Sequence, residues 1–295
     1  MKSWILALRP KTLTAALVPI VVATALVKAD GFVVQWWISI TALFASFFIQ
    51  IATNLINDAI DFDKGADTET RTGPQRVTQT GLLTRKQVMT GGFICLAIAL
   101  ALGIPLVIEG GWPIVVIGLA SLALAYGYTG GPFPLAYLGL GDLFVILFFG
   151  VIAVGGTYFL HTHTYNQHAL IAGLQVGFLA TVLIAINNLR DAPQDRLVGK
   201  KTLAVRFGVK FAKSEITFFA ITPFLLRAAF GPQWNDQMWQ NLLWGVPIAL
   251  ALVLVVQIWR AEPGPVMNRY LARAAGLQLT FGVMLALSMW FGSFT

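Results

Sequence analysis

Long apolar runs follow one another along almost the whole chain, and they constrain its fold more than any other feature. Each is close to the ~20 residues that an α-helix needs to cross a hydrocarbon core of ~30 Å. The alternation over about ten residues that marks membrane β-barrel strands is not seen. Only 11% of the residues are charged, against roughly a quarter in soluble domains. The sequence therefore predicts an all-α, polytopic membrane protein.

Polar breaks between these runs divide the chain into nine candidate transmembrane helices. They are predicted near residues 13–29, 35–57, 87–108, 112–129, 141–160, 168–189, 213–230, 240–260 and 270–292. An odd number of spans puts the two termini on opposite sides of the membrane. We expect one membrane-embedded domain over residues 1–295.

The basic residues predict the orientation of these helices. Eighteen of the 20 Lys and Arg residues fall before the first helix or in alternate breaks, and only Lys28 and Arg227 fall on the other side. Because cytoplasmic loops are enriched in Lys and Arg, the amino terminus and the long polar loops are predicted to be cytoplasmic, in the inner membrane. This pattern, together with anionic membrane lipid, accounts for most of the net charge of +7, so a nucleic-acid partner is not indicated.

A first polar motif follows the second apolar run and reads "NLINDAIDFDKGADTETRTGPQR", residues 54–76. Its amide and acidic side chains recur at spacings of three and four, so they share one face of a helix. Arginines then flank a Gly-Pro turn. The candidate site residues are Asn54, Asn57, Asp58, Asp61, Asp67, Arg71 and Arg76.

A second motif follows the sixth apolar run and reads "AINNLRDAPQDRLVGKKTLAVRFG", residues 185–208. Amides again precede acids at helical spacing, and basic residues follow. The candidate residues are Asn187, Asn188, Asp191, Asp195, Lys200, Lys201 and Arg206. The same order of residue types thus occurs twice on one side of the membrane, which suggests two related parts of the chain that meet around one cavity.

Clustered carboxylates repel each other unless a cation lies between them. Hard oxygen ligands favour Mg²⁺ or Mn²⁺, and Mg²⁺ commonly bridges carboxylates to substrate phosphates. Neighbouring Lys and Arg would bind the remaining phosphate oxygens. One acidic loop alone is more often a solvated loop, and Asn54 and Asn188 are also reasonable helix caps. The repetition favours a magnesium-dependent diphosphate site at the membrane surface.

A third loop, "AYGYTGGPFPLAYLGLGD" at residues 125–142, carries no Lys or Arg although it lies on the same predicted side. Its glycines allow the backbone to approach a ligand closely. Tyr126, Tyr128 and Tyr137 present ring faces that suit an aromatic or cationic partner, although tyrosines are also common at membrane interfaces. Asp142 is either a site residue or a favourable charge at a helix start.

These motifs resemble the UbiA superfamily of intramembrane aromatic prenyltransferases, and the resemblance covers most of the chain. It implies a nine-helix bundle that binds a prenyl diphosphate through Mg²⁺. The ligands would be Asp58, Asp61, Asp67, Asp191 and Asp195. From the charge-free loop, Tyr126 is the candidate for catalysis beside these acids, and Tyr128 and Asp142 are candidates for substrate binding. The third acid of the wider superfamily's first motif is Gly65 in this chain, and Asp67 is the candidate to replace it.

The segment "RTGPQR" is similar to the branch of that superfamily that acts on 1,4-dihydroxy-2-naphthoate. The resemblance implies transfer of a polyprenyl group to this acceptor with loss of CO₂ and diphosphate, giving demethylmenaquinone. Homogentisate or 4-hydroxybenzoate as acceptor, and phytyl transfer, remain alternatives. A membrane transporter is a different class of function, but carrier sites lie near the bilayer midplane, whereas these acids are predicted at helix ends.

Overall fold

A computed structural model describes residues 2–65, 73–230 and 242–292, and in these ranges it contains helices and no strand. The all-helical prediction is therefore confirmed for the described part. The helices are α1 (Lys2–Leu8), α2 (Thr14–Ala29), α3 (Trp36–Asp63), α4 (Arg85–Gly110), α5 (Trp112–Gly127), α6 (Leu135–Leu138), α7 (Gly141–Thr162), α8 (Gln167–Leu197), α9 (Leu203–Leu226), α10 (Gly245–Arg260) and α11 (Met267–Phe291).

Within the described ranges, five helices are long and apolar enough to cross a membrane: α3, α4, α7, α8 and α11. Three shorter helices, α2, α5 and α10, are also apolar. These helices fall at predicted positions. The count of nine membrane spans and the cytoplasmic amino terminus stay predictions.

Helices α3 and α8 continue past the last apolar residue of their runs. The prediction ended them near 57 and 189, whereas α3 ends at Asp63 and α8 at Leu197. Both acidic motifs therefore begin on the final turns of long helices. Helix α3 ends because Gly65 takes a left-handed backbone conformation with φ of 68°, which favours glycine after a helix. The position where the wider superfamily has a third acid is thus a helix stop in this chain.

Helices α7 and α8 approach each other so closely that their backbones touch. A Cβ atom added at Gly150 would lie 2.3 Å from the carbonyl oxygen of Gly173 and 2.7 Å from Cα of Gly177. Small residues permit this kind of contact between membrane helices. Helix α7 is also π-helical over Ile146–Ile152, a feature that is frequent near functional sites. The contact holds the middle of α7 against the first half of α8.

The interior has an apolar core on one side and a cavity on the other. The largest buried cluster is built from α2, α7, α8, α9, α10 and α11. A cavity of about 430 Å³ lies between α2, α3, α4, α5 and α7. Residues of α5 from Ile114 onwards, and then Tyr128, line this cavity, so it runs for about 20 Å along that helix.

Candidate active site

Lys200 joins the two acidic motifs. Its ammonium nitrogen lies 3.3 Å from Oδ1 of Asp61 on α3 and 3.7 Å from Oδ1 of Asp195 on α8. All three side chains are largely buried. Asp191 lies one turn before Asp195 on α8, so the acids of both motifs meet at one end of the helix bundle.

The charge-free loop also reaches this cluster. The Tyr137 hydroxyl donates a hydrogen bond of 3.1 Å to Asp61. The ammonium groups of Lys64 and Lys200 lie 4.0 and 4.9 Å from the centre of the Tyr137 ring, at cation–π distance. Burial and then the Asp61 charge raise the pKa of Tyr137 well above its ordinary value. Tyr137 therefore remains a protonated donor to Asp61.

Lys64 follows directly after α3 and faces the same loop. Its ammonium group donates a hydrogen bond of 2.7 Å to the carbonyl oxygen of Thr129. Desolvation lowers the pKa of Lys64, and the nearby Asp61 charge opposes that effect. Lys64 thus contributes a second cation beside Lys200.

Backbone contacts hold the charge-free loop against the second motif. The N–H of Lys201 donates to the carbonyl of Tyr137 at 2.9 Å, and the Arg206 guanidinium donates to the carbonyl of Leu138 at 2.8 Å. A Cβ at Gly139 would lie 2.2 Å from the carbonyl oxygen of Lys201, and the φ of Gly139 is 76°. Only glycine fits there. The side chains of Lys201 and Arg206 are otherwise exposed.

Asp58 is buried and already has backbone partners. Its two carboxylate oxygens accept N–H groups of Val77 and Thr78, each at 3.3 Å. These bonds fix the segment that carries Arg76, whose guanidinium lies 3.8 Å from Asp61. In this structure Asp58 anchors the loop after the first motif.

The asparagines of the first motif tie neighbouring segments to α3. The amide of Asn54 donates to the Leu8 carbonyl at 3.1 Å and to the Thr12 hydroxyl at 2.9 Å. The amide oxygen of Asn57 accepts the hydroxyl of Thr129. Both side chains therefore position the segments around the site.

Asp191 forms a two-point ion pair with its neighbour. The Arg190 guanidinium donates to both carboxylate oxygens at 2.7 Å, and it also donates to Asn268 of α11 at 2.7 Å. Asn187 and Asn188 lie partly buried on the preceding turn of α8. Asp67 and Arg71, two further predicted site residues, lie outside the described residues.

Tyr126 and Tyr128 have different surroundings. Tyr126 is 40% exposed and stacks on Phe93 of α4, with ring centres 6.4 Å apart. Tyr128 lines the cavity. Burial raises the pKa of Tyr128 well above its ordinary value, and the charges of Asp142, Asp61 and Asp195 raise it further. Tyr128 therefore lies where the apolar cavity meets the acidic cluster.

A magnesium ion requires oxygen ligands, and the carboxylates of this cluster are the groups that could supply them. Among the described residues, no group of three or more His, Cys, Asp or Glu side chains is arranged to hold a metal ion. However, Asp61 and Asp195 already share a cation, the Lys200 ammonium group. Two carboxylates that converge in this way fit Mg²⁺, which keeps other positions for water or phosphate oxygens.

Lys64 and Arg190 are site residues that the sequence pattern does not single out. Both fit the charge pattern that predicts orientation, because a Lys or Arg at a helix end is normal for a membrane protein. The hydrogen bond from Tyr137 to Asp61 was also missed. The sequence feature that indicates a site role for Tyr137 is its position in a loop without basic residues.

Comparisons with known proteins agree with this architecture. The model of the UbiA prenyltransferase family matches residues 16–292. The 1,4-dihydroxy-2-naphthoate octaprenyltransferase of Haemophilus influenzae is 30% identical over 99% of this chain and 97% of its own length. The Escherichia coli protein of the same name is 32% identical over 98% of this chain and 96% of its own length.

A solved structure gives the corresponding fold. A UbiA homologue from Archaeoglobus fulgidus, bound to DMAPP and Mg²⁺, superposes with a TM-score of 0.68 at 16% identity, covering 98% of this chain and 99% of that one. The match to the family model and the two full-length relatives confirm the family that the two acidic motifs resemble. The chain belongs to the UbiA prenyltransferase family, and it is an integral membrane prenyltransferase.

Proposed function

We propose that this protein transfers a polyprenyl group from its diphosphate to 1,4-dihydroxy-2-naphthoate, in a Mg²⁺-dependent reaction that releases diphosphate and CO₂. The observation that carries the proposal is the cluster of Asp61, Asp195 and Lys200 at the Tyr128 end of an apolar cavity. The names of the two full-length relatives support this acceptor. The product would be the reduced, diol form of demethylmenaquinone.

The diphosphate would bind at the acidic cluster. Asp61 and Asp195 are the metal ligands that the geometry favours, and Asp58, Asp67 and Asp191 complete the proposed set. When bound, Mg²⁺ supplies positive charge that neutralises the leaving diphosphate. Lys64, Lys200 and Arg76 surround Asp61, and Lys201, Arg206 and Arg71 are the other proposed cations. Positive groups fixed before the reaction stabilise charge that develops as the allylic C–O bond breaks.

The prenyl chain would lie in the apolar cavity. Exclusion of water protects an allylic cation from hydrolysis, and aromatic ring faces stabilise positive charge. Tyr128 lines the cavity at the end near the acids, so its ring is the first candidate for this contact. Tyr126 stacks on Phe93 and is proposed to act beside it.

The acceptor ring supplies the electrons for the new bond. Its π electrons form the C–C bond to the allylic carbon while the C–O bond to diphosphate breaks. The bond between the ring and its carboxylate then breaks, the electron pair restores the aromatic ring, and CO₂ leaves. No protein nucleophile is required.

Orientation follows from the charge pattern. With nine spans and 18 of 20 Lys and Arg residues on one side, the proposed site faces the cytoplasm at the inner membrane. A carrier would bind its ligand near the bilayer midplane. The clustered acids instead lie on the last turns of α3 and α8, which favours an enzyme at the membrane surface.

The test is a product assay with the purified protein in detergent and Mg²⁺. Prenyl diphosphates of several lengths are combined with dihydroxynaphthoate, homogentisate and 4-hydroxybenzoate, and products are identified by mass. We expect a prenylated naphthalenediol that has lost the mass of CO₂, made only with the naphthoate. A product from another acceptor alone would contradict the assigned acceptor, and no product from any acceptor would contradict prenyl transfer.

Two variants link the assay to the proposed site. Asp61→Asn is expected to abolish product formation. Asp63→Asn is the matched control, since Asp63 lies on the same helix end but pairs with Arg85 at 2.6 Å on the exposed surface. Equal loss of activity in both variants would contradict the assigned role of Asp61.

A further inference from the structure

Another cavity lies at the end of the helix bundle opposite the acidic cluster. It is an apolar groove of about 480 Å³ between α2, α3 and α11. Trp36, the first residue of α3, lines this groove, whereas Asp61 lies on the last turn of the same helix. A rise of 1.5 Å per residue puts these two residues about 37 Å apart along α3. The groove is therefore separate from the proposed active site.

The groove is accessible from outside the bundle. Each of its three helices contributes an exposed apolar side chain to it, Val21 from α2, Ile40 from α3 and Val283 from α11. Ile40 is 51% exposed. Exposed apolar side chains of a membrane-spanning bundle face lipid tails, which are as apolar as the side chains themselves. The groove thus opens toward the hydrocarbon of the membrane.

Polar groups in the floor of the groove already have partners. The Thr24 hydroxyl donates to the Ile20 carbonyl at 2.7 Å and forms a hydrogen bond of 2.8 Å with the Ser39 hydroxyl. Ser39 also forms a hydrogen bond of 3.0 Å with the ring of His161 on α7. Because these hydroxyl groups are partnered within the protein, the floor does not require a polar ligand group. The interior of the groove suits a hydrocarbon chain.

Lys28 places a positive charge at the rim of the groove. Its ammonium nitrogen lies 4.2 Å from the centre of the Trp290 ring, and Trp290 lines the groove. The nearby acid Asp30 accepts hydrogen bonds from Tyr158 and Asn166 instead, at 2.6 and 2.7 Å. Among the described residues, no carboxylate pairs with the exposed Lys28. This ammonium group is therefore available to an anionic ligand.

The position of Lys28 also differs from that of most basic residues in the chain. It is one of only two of the 20 Lys and Arg residues predicted on its side of the membrane, so the positive-inside pattern does not account for it. Trp36 and Trp290 pack against each other at this end, with ring centres 5.8 Å apart. Tryptophan rings are enriched at the level of the lipid headgroups. Lys28 thus lies at the depth where headgroup phosphates occur.

We propose that this groove binds an anionic phospholipid, with one acyl chain between α2, α3 and α11 and the headgroup phosphate on Lys28. The chain alone gives little preference for one lipid, since all lipid tails are similarly apolar. The headgroup supplies the selectivity, because a basic side chain between membrane helices attracts a net negative lipid. The inference does not depend on the proposed function.

The test is photo-crosslinking of lipid to the reconstituted full-length protein. The vesicles are made of phosphatidylcholine with a small fraction of photoreactive phosphatidylglycerol or photoreactive phosphatidylcholine, which carry the reactive group on the same acyl chain. After illumination, labelled peptides are identified by mass. One charge near a membrane surface changes affinity about fivefold, so phosphatidylglycerol should label the peptide with Trp36 and Ile40 about five times more than phosphatidylcholine.

Substitutions at the rim and in the groove locate the effect. Lys28→Met should bring the labelling ratio of the two lipids to about one, and Lys28→Arg should keep it. Arg227→Met is the matched control, because Arg227 is the other basic residue predicted on this side and does not line the groove. Its labelling ratio should equal that of wild type. Val283→Trp should reduce labelling by both lipids, since the larger side chain fills the groove.

Three results would overturn the inference. The first is equal labelling by the two lipids in wild type, and the second is an unchanged ratio in Lys28→Met. The third is no labelling by either lipid, which would mean that a second copy of the chain or a partner helix covers the groove. Thermal unfolding midpoints check that each variant is folded, and Lys28→Gln replaces Lys28→Met if the latter is not. Since the measurement is lipid labelling, it is decided whether or not the protein proves to be a naphthoate prenyltransferase.

Discussion

Lys200 lies with its ammonium nitrogen 3.3 Å from the carboxylate of Asp61. The lysine belongs to the second acidic motif and the aspartate to the first. Their ion pair, extended to Asp195 at 3.7 Å, holds the two motifs together without any ligand. A positive charge between these acids is therefore part of the folded protein itself.

Removal of that charge should weaken substrate binding. Lys200→Met leaves Asp61 and Asp195 facing each other without a cation, and breaking a buried pair of this kind is strongly destabilising. We expect kcat/KM for the prenyl diphosphate to fall by about 10–100-fold. Lys210→Met, at an exposed position on α9, is the control. Unchanged kcat/KM in Lys200→Met would show that the bridge has no part in binding.

Tyr137→Phe removes the hydroxyl that donates to Asp61. Hydrogen bonds to charged groups are worth about 1.5–3 kcal/mol, so activity should fall about tenfold or more. Because burial and the Asp61 charge raise the pKa of Tyr137, its hydroxyl stays protonated up to at least the ordinary pKa of about 10. The ratio of wild-type to variant activity should therefore be the same at pH 7 and pH 9. A ratio that approaches one at pH 9 would mean that Tyr137 ionises in this range.

Asp58→Ala is expected to destabilise the protein even without ligand. It leaves the N–H groups of Val77 and Thr78 without their acceptor, at a cost of about 2–4 kcal/mol. Thermal unfolding in detergent, without Mg²⁺, should show a lower midpoint. If Asp58 served only to bind metal, the midpoint of the metal-free protein would not change.

Chelation should stop the reaction reversibly. EDTA is expected to end product formation, and Mg²⁺ should restore it. Asp195→Asn removes one of the two carboxylates that converge on Lys200, so this variant should need a higher Mg²⁺ concentration for half-maximal rate. Full activity in EDTA would rule out the proposed metal requirement.

The contact between α7 and α8 should tolerate no added side chain. In Gly150→Ala the new methyl group meets the backbone of Gly173 and Gly177, and overpacking of this kind costs about 1–3 kcal/mol. Gly276→Ala on α11 meets no atom within 4 Å and should be neutral or stabilising, since alanine favours a helix. Equal unfolding midpoints for the two variants would contradict the close approach.

Much of the helical architecture followed from the sequence. Apolar runs predicted the long helices, because membrane spans must satisfy their backbone hydrogen bonds internally. The ends were less accurate, since the prediction ended α3 and α8 where the apolar residues end. Both helices continue because their charged residues find partners, Asp61 with Lys200 and Asp191 with Arg190.

The roles of single site residues were harder to predict. Helical spacing correctly grouped Asp58 with Asp61 on one helix, but it does not indicate that Asp58 binds the backbone of Val77 and Thr78. Those bonds depend on how a later loop folds back. The contacts of Tyr137 likewise depend on a backbone path that Gly139 permits, which no spacing rule describes.

The π-helical stretch of α7, Ile146–Ile152, changes how the two halves of that helix are rotated relative to each other. A regular α-helix advances about 100° per residue. The wider π turn holds one extra residue, so the residues after it are rotated back relative to a regular α-helix. Val145, before this stretch, and Thr157, after it, consequently both face the cavity. Deletion of one residue within the stretch would restore a regular α-helix with these two faces still aligned, whereas a deletion elsewhere between them would rotate one half of α7 by about 100° and turn one side chain away from the cavity.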